Sequence, residues 1–281
     1  MLEKNSLIYK FFSSNKYLLA VLIIAPLLLY FTFGTTLHNG LNDIDEHDLT
    51  NNFDLIDESS GRIILYDGEA IVGREYERIN PEKGEENLTE AQNYIFEETF
   101  FDSLLSIALV SFLIGTVISS LSWGKMAEGG SIVYPIMLKS SRRKAFIELF
   151  SIPLIFIGVI TSLSSLVMAY EAMNIFANVG FLTLFAYSVL TISSTMIGGY
   201  IIGVLISLMA KNTFLPIVVS LFFVGGASAF PNRSELLYPI ESFIRYHHFD
   251  YPVSDECIIG ILAISLALVV SYIIFKRGDF Y

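Results

Sequence analysis

The sequence predicts an all-α polytopic membrane protein with six transmembrane helices. A small acidic α+β extracytoplasmic domain is expected between the first and second. Three observations predict this class. Hydrophobic residues make up 53% of the 281-residue chain, above the roughly 45–50% of a soluble domain. That excess is gathered into long runs, several reaching the ~20 apolar residues a helix needs to cross hydrocarbon. The acid is gathered too. Residues 35–100 hold 17 Asp and Glu against 4 Lys and Arg, in a chain of net charge −11.

The elements follow in order. Residues 1–16 carry Leu7, Ile8, Phe11 and Phe12 among polar residues, which suits an amphipathic helix on the membrane surface or a simple extension of the first span. The first span is expected over 17–34, with Pro26 as a kink. No small-residue cleavage site follows it closely, so it reads as a retained helix and not a signal peptide. The acidic domain occupies 35–99. There Asp67-Gly68, set between Ile63–Tyr66 and Glu69–Val72, signals a β-hairpin, and Leu88–Phe101 reads as a helix feeding the second span. That span is expected over 100–122, followed by a loop at 123–148. The third covers 149–170, and an external loop covers 171–180. The fourth covers 181–209, long enough to tilt or break near Gly198 and Gly199. The fifth and sixth cover 214–230 and 256–275, separated by a second external loop at 231–255. A short tail ends the chain at 276–281.

Orientation follows from the cations in the connections. With the N-terminus in the cytoplasm, the inside holds Lys4, Lys10, Lys16, Lys125, Lys139, Arg142, Arg143, Lys144, Lys211, Lys276 and Arg277. The outside then holds Arg62, Arg74, Arg78, Lys83, Arg233 and Arg245, most of them in one long loop that counts little. Both termini are expected to be cytoplasmic, in a plasma or inner membrane. The Asn87-Leu88-Thr89 and Asn232-Arg233-Ser234 glycosylation patterns both fall outside on this topology.

Several chemistries are disfavoured. No basic stripe exists to neutralise phosphates, so nucleic-acid binding is not expected. The single cysteine, Cys257, allows no intrachain disulfide and no multi-cysteine metal site. No Gly-x-x-x-x-Gly-Lys-Ser/Thr loop is present, so any ATP must bind another chain. Glu97-Glu98 resembles the paired glutamates of CAAX-type intramembrane proteases, but Asp102 stands where those need an arginine. His38, His47, His247 and His248 read as surface histidines rather than metal ligands. The spans are rich in hydroxyls and poor in charge, which argues against an ion-coupled carrier. Gly199 and Gly203 form a Gly-x-x-x-Gly pair that allows close helix approach, within the chain or between two copies.

The most informative stretch is the connection from Trp123 to Lys144. It opens with Glu128, Gly129, Gly130 and Ser131, continues through a short apolar segment, and closes on Arg142, Arg143 and Lys144. Here the sequence resembles the permease subunits of the ABC-2 family of ABC transporters. Their pattern is an acid, Gly-Thr, a short apolar helix, then Pro and Arg before the third span. Glu128, Gly130, Ser131 and Arg142 stand at matching positions. Ser131 replaces the usual Thr, and Lys139-Ser140-Ser141 replaces the expected Pro. The polar end of the fourth span, Leu205–Asn212, and the charged tail Phe275–Phe280 are similar to the family as well. The resemblance covers the membrane part and leaves out 35–100.

The resemblance implies a permease subunit, an exporter, coupled to a separate ABC ATPase that binds ATP and Mg. It also implies a homodimer or a second permease half. The connection would be a coupling helix docking on the ATPase, with Glu128, Gly130, Ser131, Arg142 and Arg143 as its contact residues. A basic cluster at this place is also what the positive-inside rule alone would produce. Two other functions stay open: a membrane-anchored assembly or sensory protein with a partner-binding external domain, and an intramembrane enzyme.

Overall fold

A computed structural model describes residues 16–43, 99–138, 141–175, 180–229 and 255–278. No strand occurs among them. The expected hairpin around Asp67-Gly68 and the surface helix before Lys16 lie outside the described residues.

Four helices are long and apolar enough to cross a membrane, over Tyr17–Gly40, Ser103–Glu128, Arg142–Ile175 and Phe181–Ala210. They correspond to the first four expected spans. The fifth and sixth expected spans coincide with helices at Leu215–Ala229 and Asp255–Arg277, which are not among those four. The former reaches Ala229, where that stretch of described residues ends.

Helix α1 spans Lys16–Asp43 and passes through Pro26 without a break. It continues nine residues past the expected end at Gly34, because Thr35–Asp43 holds no further proline. Apolar runs mark where lipid ends, and a helix does not have to stop there. Its hydroxyls bond back to the helix, Thr32 to the Leu28 carbonyl at 2.9 Å and Thr35 to Phe31 at 2.8 Å. Leu18, Ala25, Leu29, Phe33 and Leu37 form one buried stripe. Ile23, Leu27 and Phe31 on the other faces are exposed, as lipid-facing residues would be.

Helix α2 spans Phe101–Ser119 and leads directly into a π turn at Ser120–Gly124 and a short helix, α3, at Lys125–Glu128. Helix α4 follows at Val133–Leu138. Helix α5 spans Arg142–Ile175. It starts seven residues before the expected third span, so Arg142, Arg143 and Lys144 form its first turn and are not loop residues. The expected loop at 123–148 thus contracts to the stretch between Glu128 and Arg142. Helix α6 spans Phe181–Ala210 and runs unbroken through Gly198 and Gly199. Lys211 ends it with φ 49° in the left-handed region, its N–H on the Ser207 carbonyl. The turn is short because Asn212 caps the next helix at once. Its Oδ1 accepts from the Phe214 and Leu215 N–H groups at 2.7 and 3.0 Å. Helix α7 spans Leu215–Ala229, and α8 spans Asp255–Arg277.

Helix α6 is the axis of the bundle. It packs against α2, α5, α7 and α8, while α1 packs against α2 and α5. Between membrane helices the hydrophobic effect gives little net drive, so close packing must supply the attraction. The α2–α6 seam does this with small residues. A Cβ at Gly199 would collide with the Phe112 carbonyl, and one at Gly203 with the Ser119 side chain. From the other side, a Cβ at Gly115 would strike the Met196 carbonyl and come within 2.9 Å of the Tyr200 nitrogen. The Gly199–Gly203 pair therefore serves contact within the chain. At the end of the bundle remote from Trp123, His38 of α1 lies 3.9 Å from Glu171 of α5.

Candidate coupling face at one end of the bundle

The residues singled out between Trp123 and Lys144 gather at one end of the bundle, together with the α6–α7 turn and the end of α8. The local chain explains how. In the π turn the Lys125 N–H reaches back to the Ser120 carbonyl, five residues away. The wider turn lets Ser122, Trp123 and Gly124 all be buried in succession. Single π turns inside α-helices are found disproportionately at functional places.

Trp123 is the only tryptophan of the chain and is fully buried. A buried indole N–H needs an acceptor. It donates to the Tyr200 hydroxyl at 2.8 Å, and that hydroxyl donates in turn to the Phe150 carbonyl at 3.3 Å. Rings from three helices close around this chain of bonds. Trp123 lies 5.4 Å from Phe146 and 5.7 Å from Phe275, and Phe150 lies 5.1 Å from Tyr200. Phe146 also meets Tyr272 at 5.4 Å. Each such pair contributes about 0.5–1.5 kcal/mol beyond its buried area. The cluster fixes the π turn to α5, α6 and α8 at once.

Below this plug the connection is tied down by discrete polar contacts. Glu128 Oε2 accepts from the Thr213 backbone N–H at 3.1 Å and from the Thr213 hydroxyl. The Ser120 hydroxyl donates to the Thr213 carbonyl. A Cβ at Gly124 would stand 3.0 Å from the Thr213 Cα, so this glycine lets the α6–α7 turn come close. Glu128 thus binds the chain's own second turn.

Gly130 and Ser131 shape the exit. Gly130 has φ +66° with open space around it, so it is there for its backbone conformation. The turn it makes returns the Ile132 N–H to the Met126 carbonyl at 3.2 Å, where the Ser131 hydroxyl also points at 3.4 Å. Lys125 sits 5.3 Å above the Tyr17 ring, joining the same end to the start of α1.

Arg142 is also engaged within the chain. Its Nη1 donates to the Lys276 carbonyl at 2.6 Å and the Gly278 carbonyl at 3.1 Å. The first is among the last carbonyls of α8, which have no partner within their own helix, and the second lies just past its end. A cation there meets the negative end of the helix dipole. Arg143, the next residue, is exposed. Of the five expected contact residues, Glu128, Gly130, Ser131 and Arg142 therefore hold the connection in shape, and Arg143 projects from it.

Sequence reasoning missed Trp123, Tyr200, Phe275 and Thr213. Only Trp123 carried a usable signal, as a lone tryptophan at the mouth of the acid-and-glycine stretch. Its partner lies 77 residues away, a pairing that no local pattern encodes.

No protein-family model, curated protein or solved structure matches this chain.

Proposed function

We propose that this chain is the membrane-spanning permease subunit of an ATP-driven ABC transporter of the ABC-2 type, an exporter coupled to a separate ATPase. On this reading it has six spans and both termini in the cytoplasm. An acidic external domain follows the first span, and the chain works with a second permease half, identical or related. ATP and Mg belong to the ATPase.

The observation that carries the reading is how the connection between α2 and α5 is held. It is short and helical at both ends. It is fastened to α6 through Trp123–Tyr200, to the α6–α7 turn through Glu128–Thr213, and to α8 through Arg142. A partner that pushed on this segment would act on α2, α5, α6, α8 and the turn into α7 together. That is what an engine outside the membrane requires of its handle, because packed helices transmit rigid-body shifts and do not absorb them. The lack of a phosphate-binding loop in the chain fits an energy source on another subunit.

The test is co-purification from the native host followed by reconstitution. An ATPase subunit should accompany the tagged chain, and its hydrolysis rate should change when the chain is added in lipid. Substitution of the exposed Arg143 and Lys144 by Glu should weaken that association. If the chain purifies without any ATPase and stimulates none, the permease reading is wrong.

A further inference from the structure

We infer that the end of the bundle where α5 begins and α8 ends is a binding site for an anionic phospholipid headgroup. The inference rests on the membrane reading of the chain and does not need the permease reading.

The starting point is the bond from Arg142 to the carbonyls of Lys276 and Gly278. It joins the first turn of α5 to the last turn of α8. Two basic pairs far apart in sequence, Arg143-Lys144 and Lys276-Arg277, are thereby brought to one place. All four side chains are exposed. Arg142 itself is spent on the helix end. It cancels the negative pole of α8 that would otherwise repel an anion. The positive pole of α5 opens on the same spot. Glu148 stands four residues after Lys144 on the same helix. Asp279 lies outside the described residues.

Depth decides which anion. These cations terminate two apolar helices whose buried faces carry Phe146 and Phe275, next to the charged turns. Ile147 and Ile273, on the same two turns, are exposed. The cluster therefore sits at the level of lipid headgroups, with apolar side chains below it at the level of acyl chains. A phosphate carrying two acyl chains satisfies both halves of such a surface, and a free phosphate satisfies only one. Basic pockets between membrane helices recognise anionic lipids on these grounds.

Trp123 makes the test direct. It is the chain's only tryptophan, and it packs on Phe146 and Phe275 beside the cluster. The full chain would be reconstituted in vesicles holding either acyl-brominated phosphatidylglycerol or acyl-brominated phosphatidylcholine, and tryptophan quenching compared. Stronger quenching by the anionic lipid is expected. Each cation should contribute about fivefold to the preference at low salt. The combined Arg143→Gln, Lys144→Gln, Lys276→Gln and Arg277→Gln variant should lose the preference. The charge-keeping Arg143→Lys, Lys144→Arg, Lys276→Arg and Arg277→Lys variant should retain it, which separates charge from folding. Equal quenching by both lipids in the unaltered chain would overturn the inference. Loss of the preference in millimolar inorganic phosphate would overturn it in favour of a soluble-anion site. Loss of ATPase co-purification in the neutral variant bears on the permease reading alone and leaves the lipid preference to be read from the quenching.

Discussion

The α2–α6 seam and the Trp123 end of the bundle hold the same two helices together by opposite means. In the seam, Gly115, Gly199 and Gly203 remove side chains so that backbones touch. A side chain added at any of the three would meet backbone or Ser119 atoms at once, so the contact tolerates no added bulk. At the Trp123 end the same helices are joined by an indole–hydroxyl bond and, past the π turn, by a carboxylate on Thr213, while a guanidinium ties the neighbouring α5 to α8. Each is directional and can be made or broken as a unit. The difference teaches where motion can enter. On the proposed permease reading, the seam would act as a fulcrum and the Trp123 end would be where an ATPase exchanges one set of contacts for another.

Substitutions at four sites, with two control positions, probe that contrast in order of expected effect. Gly199→Leu should abolish folding, because its side chain must occupy the space of the Phe112 backbone. No monodisperse protein should be recovered in gel filtration, whereas Gly158→Leu, at a glycine with open space around it, should be tolerated. Trp123→Ala should lower stability by about 3–5 kcal/mol, the usual range for emptying a large aromatic site. Trp123→Phe should lose only about 1 kcal/mol, the worth of one hydrogen bond. Thermal unfolding in detergent would read both. Glu128→Gln keeps the shape and removes the charge on Thr213. A loss of about 1–2 kcal/mol is expected, with hydrogen exchange rising at the α6–α7 turn and unchanged in the seam. Arg142→Gln should cost about 1 kcal/mol through the uncapped end of α8. Arg143→Gln should change stability by less than about 0.5 kcal/mol. Equal effects from Arg142 and Arg143 would erase the distinction drawn between them.

How much of this was legible in the sequence depended on what kind of signal each feature leaves. Helix α6 was read nearly to its ends, 181–209 against Phe181–Ala210, because Gly180 and Lys211-Asn212 punctuate both boundaries. Helices α1 and α5 were read too short. Their extra turns, Thr35–Asp43 and Arg142–Glu148, interrupt the apolar run with polar or charged residues, and an apolar-run criterion sees lipid where the backbone sees only helix. The pair Gly199 and Gly203 announced close approach but not the partner, since spacing on one helix does not say which neighbour fills it. In the connection, Gly130 could be read as a turn from its residue type alone. The bonds of Glu128 to Thr213 and of Arg142 to α8 could not, because both partners lie far along the chain. The same limit hid the Trp123–Tyr200 latch.

The reading turns on which side of the membrane this latched end faces. A cysteine placed at Ser131, in a chain whose Cys257 is changed to Ser, would settle it by labelling with a membrane-impermeant maleimide. If the connection lies in the cytosol, within reach of an ATPase, label should appear only after the cells are permeabilised. Full labelling of intact cells from outside would place Gly130 and Ser131 beyond the reach of any nucleotide-driven subunit and contradict the proposal.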